Sequence, residues 1–268
     1  MTEARASRIP FAMLPFRDRN PSGCVPYVTW AVIIANVLVF AAFYPLGTDA
    51  SVARIYHDWG LIPDRFLRGD GLVTPLTAMF VHGGWIHLAL NMLFLRVFGD
   101  NLEAELGSLR FGLFYLACGI VAFALQVLAE PSSPVAIAGA SGAVAGVMGG
   151  YLLMFPRARV EMLLWYVVGL RVVAVPAWAL LGAWFVVQVA GGMTTPADGG
   201  VAFWAHVGGF LAGVALCSRT WRLRGGRIFW RRFGGVPPHP TAQVVIPVVR
   251  RRGAAPLPPA QPNGLFRR

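Results

Sequence analysis

Six apolar runs, separated by polar stretches, set the pattern of the chain: 28–44, 85–103, 109–129, 139–155, 176–192 and 201–218. Each holds about 17–21 residues, enough to cross a bilayer as a helix. The pattern predicts an all-α polytopic membrane protein with six transmembrane helices. A seventh apolar stretch, 160–170, has only eleven residues and covers about 16 Å as a helix. That is too short to cross, and Arg159 and Arg171 bracket it, so 160–175 reads as an interfacial turn or hairpin. Pro176 suits the first turn of the fifth long helix.

Composition agrees with the pattern. Hydrophobic residues make up 56% of the 268 and charged ones 13%, against about 25% charged in an average soluble domain. The first run lacks a small-x-small cleavage site before a mature domain, which favours a retained span over a secretory signal. The net charge of +11 is carried by 23 arginines without lysine. These arginines sit at segment ends and in the tails, as topology signals do, so nucleic-acid binding is not expected. Arginines before the first run, after the fourth and after the sixth put both termini in the cytoplasm and loop 45–84 outside. The expected organisation is a cytoplasmic N-terminal tail over 1–26, a membrane domain over 27–218, and a disordered Arg/Pro-rich cytoplasmic tail over 219–268. The expected location is the plasma membrane of a bacterium. Cys24, Cys118 and Cys217 show neither metal nor disulfide spacing and read as inert thiols.

Against this apolar background a few polar residues stand out. Ser141 lies in Gly139-Ala140-Ser141-Gly142 at the start of the fourth run, and His206 in Ala205-His206-Val207-Gly208-Gly209 in the sixth. An ionisable or polar group at membrane depth marks a functional site by default. Ser141 lies sixteen residues, about 24 Å, before Arg157, and His206 thirteen residues, about 20 Å, before Arg219. Runs four and six point the same way, so the two side chains reach similar depth. An extra span at 160–175 would reverse the sixth run and remove that match. The second run adds His87 and Asn91, four residues apart on one helix face and able to donate hydrogen bonds to an oxyanion. Ser141 at a helix N-terminus adds free backbone N–H groups.

Each of these features has a plainer reading. A Gly-Ala-Ser-Gly string alone is more often packing than catalysis, and Gly139, Gly142, Gly146, Gly149, Gly150, Gly209 and Gly213 suit close helix contact. His206 alone also fits an interhelical hydrogen bond. His82 reads as a structural hydrogen-bonder in the turn entering the second run. Glu103 and Glu105 read as partners of Arg110 or as caps. It is the set of Ser141, His206, His87 and Asn91 at compatible depths that points to a nucleophile, its base and an oxyanion site. An H-E-x-x-H motif and paired aspartates within the spans are both missing, which argues against metal-dependent and aspartyl proteolysis. No metal or cofactor is expected. No acidic residue lies in the spans beside His206, so the base would be oriented by packing alone.

At these residues the chain resembles the rhomboid family of intramembrane serine proteases. The resemblance covers 28–218. It rests on His82-Gly83-Gly84-Trp85-Ile86-His87-Leu88-Ala89-Leu90-Asn91-Met92, on Gly99-Asp100-Asn101-Leu102-Glu103 with Gly107, on the Ser141 and His206 motifs, and on Gly60-Leu61-Ile62-Pro63 in the first outer loop. It implies a rhomboid-like six-helix bundle, with Ser141 as nucleophile, His206 as general base, and His87, Asn91 and the Ser141 amide at the oxyanion. Gly139, Gly142, Gly209 and His82 would support the site. The implied substrates are single-span membrane proteins. Where some members stack an aromatic ring on the base, four positions after the nucleophile, this chain has Ala145. Trp204 and Tyr151 are the candidates to steady the His206 ring instead. Two readings compete: an inactive relative that escorts membrane clients, disfavoured by the retained Ser141 and His206, and a solute transporter, disfavoured by the lack of internal repeats.

Overall fold

A computed structural model describes residues 12–20, 22–44, 49–166, 169–195 and 200–239. The chain order is β1 (Ala12–Asp18), α1 (Tyr27–Phe43), α2 (Asp49–Trp59), α3 (Pro63–Leu67), α4 (Thr74–Thr77) running into a 3-10 turn Ala78–Phe80, α5 (Trp85–Leu106), α6 (Ser108–Ala129), α7 (Ser141–Met154), β2 (Arg159–Tyr166), β3 (Gly169–Pro176), α8 (Ala177–Thr194), α9 (Phe203–Leu223) and α10 (Arg227–Phe233). Each of the six apolar runs holds one helix: α1 and α5 to α9. By themselves α6 and α8 are long and apolar enough to cross a membrane. A third candidate forms if the segment Thr74–Phe80 is taken with α5 across a 97° bend.

α7 is the centre of the bundle. It is apolar on every face, and a helix of that kind is stable only when surrounded. Residues 142–151 are all buried. Its glycines allow α9 to approach backbone to backbone. A Cβ on Gly209 would lie 1.9 Å from the Gly142 carbonyl oxygen, and one on Gly213 would lie 1.9 Å from that of Gly146. Both pairs follow the four-residue spacing of small residues that lets helices pack closely in lipid.

The opposite end of the bundle is tied by carboxylates. Gly107, at φ 79°, joins α5 to α6 without a loop, a conformation that favours glycine. Glu103 on α5 accepts hydrogen bonds from the amides of Val28 and Thr29 and from the hydroxyls of Thr29 and Ser108, at 2.6–2.9 Å. It therefore caps the N-terminus of α1, which Pro26 has no side-chain oxygen to cap. Glu105 pairs with Arg224 at 2.9 Å. The expected partner, Arg110, is used by neither, because the two acids face α1 and α9.

The segment 160–175 folds as the expected hairpin. β2 and β3 pair antiparallel from Arg159↔Pro176 to Tyr166↔Gly169. A third strand was not expected. β1, inside the expected tail 1–26, pairs antiparallel with β2. Glu161 accepts from Arg17 at 2.7 Å and from Arg19 at 2.9 Å. Asp18 accepts from Tyr151, Asn101 and the Asn20 amide, and Asp100 accepts from Ser22. Burial raises the Asp18 carboxyl above the usual carboxylate range, against the pull of its donors. For Glu161, burial pushes up too, but the bonds and charges of Arg17 and Arg19 outweigh it and hold the group low.

The expected disorder after residue 218 is corrected over 219–239. α9 continues to Leu223 and α10 follows. Composition averaged over the whole tail hides why: Trp221, Phe229, Trp230 and Phe233 are apolar surface worth burying. The rings of Trp221 and Trp230 lie 4.9 Å apart, and Trp230 Nε1 donates to the Leu153 carbonyl at the end of α7. Residues 1–11 and 240–268 of the two expected tails lie outside the described residues.

Candidate active site

Ser141 is the first residue of α7, and Ala140 before it is the N-cap. The loop leading there is held at three points. Ile137 and Leu61 exchange both backbone hydrogen bonds, at 2.7 and 2.9 Å. The Gly139 amide donates to the Ala78 carbonyl at 2.8 Å. The Ala140 amide donates to His82 Nε2 at 3.3 Å, so His82 braces the turn that enters α7 rather than only the one that enters α5.

His206 lies in the first turn of α9, one turn before Gly209. The Gly142–Gly209 contact therefore fixes the two helices beside Ser141 and His206. His206 Nε2 lies 2.9 Å from Ser141 Oγ, and His206 Nδ1 lies 2.7 Å from Oε1 of Gln188 on α8. The Gln188 amide nitrogen donates to the Trp184 carbonyl at 3.4 Å, which orients the amide. An amide oxygen only accepts, so the proton sits on Nδ1 and Nε2 is left to accept from the serine hydroxyl. The Trp184 ring lies 5.8 Å from the imidazole, tilted by 39°. Gln126 on α6 accepts from the Ala205 amide at 3.0 Å and satisfies a free donor at the start of α9.

These groups face a cavity of about 570 Å³. Ser141, His206, His87, Asn91, Gly139 and Gly142 all line it. Gly139, at φ 130°, lies flat against His87: a Cβ there would come within 2.8 Å of the imidazole. Asn91 is buried, and its amide nitrogen donates one hydrogen to the His87 carbonyl at 3.0 Å. Its second N–H remains for a ligand. Among the described residues no group of three His, Cys, Asp or Glu side chains is arranged to hold a metal ion.

A family model of the rhomboid domain matches residues 70–222. The chain belongs to the rhomboid family. RHOMBOID-like protein 4 of Arabidopsis thaliana is 34% identical over 157 residues, which are 59% of this chain and 36% of that protein. Putative rhomboid protease YdcA of Bacillus subtilis is 39% identical over 83 residues, 31% of this chain and 40% of its own. Rhomboid protein 1, mitochondrial, of Saccharomyces cerevisiae is 30% identical over 205 residues, 71% and 55%. The match thus spans about a third to a half of these relatives. A rhomboid domain built from such apolar helices makes the chain an integral membrane protein.

Two expectations about this rhomboid site are corrected. The His206 ring is not oriented by packing alone, since Gln188 accepts its Nδ1 proton. Nor do Tyr151 and Trp204 steady the ring. Tyr151 lies ten residues, about 15 Å, down α7 from Ser141 and donates to Asp18. Trp204 packs on Gly192 of α8. Trp184 takes the place beside His206. The sequence did carry a signal for Gln126 and Gln188, because each is an amide in an otherwise apolar run and each needs a buried partner.

Proposed function

We propose that this rhomboid is an intramembrane serine endopeptidase that cleaves single-span membrane proteins within or near their membrane segment. The observation that carries the reading is the relay from Ser141 through His206 to Gln188, open to a cavity at its serine end. Ser141 Oγ attacks the scissile carbonyl carbon while His206 Nε2 takes the hydroxyl proton. The carbonyl oxygen becomes an oxyanion held by Asn91, His87 and the Ser141 amide. Collapse of this intermediate breaks the C–N bond, and His206 returns the proton to the leaving amine. Water, deprotonated by the same imidazole, then releases the acyl group from Ser141. Gln188 is a positioning residue throughout: it holds the tautomer and carries no charge.

In this reading α1 and α5 to α9 are the six spans, and residues 27–218 form the membrane domain. α7 and α9 run in the same direction because the β2–β3 hairpin returns the chain to the side it left. The arginines flanking the hairpin and following α9 support a cytoplasmic location for that side and for both termini, in the plasma membrane of a bacterium.

The test is incubation of the purified protein in detergent or proteoliposomes with a model single-span substrate, wild type beside Ser141→Ala. Cleavage by wild type alone is expected. Equal product from both, or binding of the substrate by wild type without cleavage, would replace this reading with that of a client-binding relative.

A further inference from the structure

Among the described residues, the cavity carries one charged group outside the relay. Glu130 lines it, half-buried, at the C-cap of α6, with its amide bonded to the Gln126 carbonyl at 2.9 Å. Phe123 and Gln126 on the same helix line the cavity with it. Glu130 differs from the other carboxylates whose side chains are described. Asp58, Asp64 and Asp70, on the connection between α1 and α5, pair with Arg54, Arg68 and Arg65. Those at the sheet end of the bundle are bonded as described above. Among the carboxylates whose side chains are described, that of Glu130 alone has no hydrogen-bond or ion partner there.

Its position sharpens the contrast. The C-terminus of a helix carries a partial negative charge of about half an electron, and a carboxylate there is unfavourable. Half-burial removes part of the water that would offset this. Helix end and carboxylate together form a spot that a cation would relieve, inside the cavity that holds Ser141. An unpartnered acid that works against its own helix has no structural account in the fold.

We propose that Glu130 is a subsite for a basic side chain, the guanidinium or ammonium of an Arg or Lys in the membrane-protein segment that enters the cavity. The proposal rests on the proteolytic reading for what enters and adds which segments are selected. A pair formed in this setting gives a charge-assisted hydrogen bond.

The test scans a single Arg, Lys, Ala or Glu through the flank of a model single-span substrate. Cleavage is measured with the wild type, Glu130→Gln and Glu130→Arg. Binding of the same peptides to the Ser141→Ala protein, with and without Glu130→Gln, is read in parallel. At one or two adjacent positions, Arg and Lys are expected to raise kcat/KM or affinity about tenfold over Glu. That ratio should fall towards one in Glu130→Gln and invert in Glu130→Arg. It should also shrink as salt rises. The same preference persisting in Glu130→Gln, or no preference at any position, overturns the subsite. If no substrate is cleaved, the proteolytic reading fails, and the binding arm still decides the subsite.

Discussion

α9 packs against α6, α7 and α8, and it meets the last two in opposite ways. Against α7 the contact is backbone on backbone, with Gly209 and Gly213 lying on the carbonyls of Gly142 and Gly146. Against α8 it is side chain on side chain: Phe185 stacks on Phe210 at 4.7 Å, and Gln188 reaches His206. The apolar stretch of α8 is 17% buried, against 50% for α6, and Val186, Val187 and Met193 point outward. His206 belongs to both contacts. Its distance to Ser141 is set by the α7 contact, which has no atoms to adjust. Its tautomer is set by α8, the more loosely held helix. Distance is therefore robust in this site, and orientation depends on where α8 sits.

The strongest way to break the comparison is to put side chains into the rigid contact. Gly209→Val and Gly213→Val place carbon where Gly142 and Gly146 have carbonyl oxygen. Overpacking typically costs about 1–3 kcal/mol and more when backbone must move. Both variants are expected to lose the cooperative melting transition or to aggregate. Gly182→Ala on α8, with nothing within 4 Å of the new methyl group, should melt at or slightly above the wild-type temperature. Equal tolerance at Gly209 and Gly182 would dissolve the distinction.

The next effect sharpens the α8 side. Gln188→Leu should lower kcat about tenfold or more, with little change in KM, because it removes the acceptor that holds the Nδ1 proton. Gln188→Glu keeps an acceptor and should restore most of kcat while shifting the pH–rate profile upward, since a carboxylate favours the protonated imidazole. If both variants fell alike with an unshifted profile, Gln188 would be a packing residue only.

How much of this was legible follows from where the information sits. Ser141 and His206 stood out because polar groups are costly in apolar runs, and their shared depth followed from the rise of a helix. An interfacial turn or hairpin at 160–175 followed from its short length and from Arg159 and Arg171 on either side. The role of Gln188 did not, because which way one amide points depends on the rotation of α8, and a helix apolar on nearly every side does not reveal its rotation. Strand β1 was hidden because its partner Glu161 lies more than 140 residues away in sequence. Helix α10 was hidden by the polar residues around its aromatics.

A smaller effect compares the membrane contacts with the sheet outside them. Glu161 is held below its ordinary value of 4.5. A depressed carboxyl contributes stability above its unfolded pKa and loses it as pH falls through the folded value. At neutral pH, Glu161→Gln should lower stability by about 1 kcal/mol and speed amide exchange in β1. The difference from wild type should shrink as pH falls below 4.5 and vanish once the pH has passed the depressed folded value. A difference that persists unchanged in acid would mean that Arg17 and Arg19 are not what secures the strand.

The central claim is that His206 activates Ser141. It is tested most directly by reaction with a fluorophosphonate, in which the serine oxygen displaces fluoride from phosphorus and the proton leaves through the base. The purified protein is treated, digested, and the labelled residue located by mass spectrometry. The account requires one adduct, on Ser141, formed at a rate that drops to background in His206→Ala and to an intermediate value in Gln188→Leu. Labelling spread over several serines, or labelling of Ser141 at the same rate without His206, would contradict it.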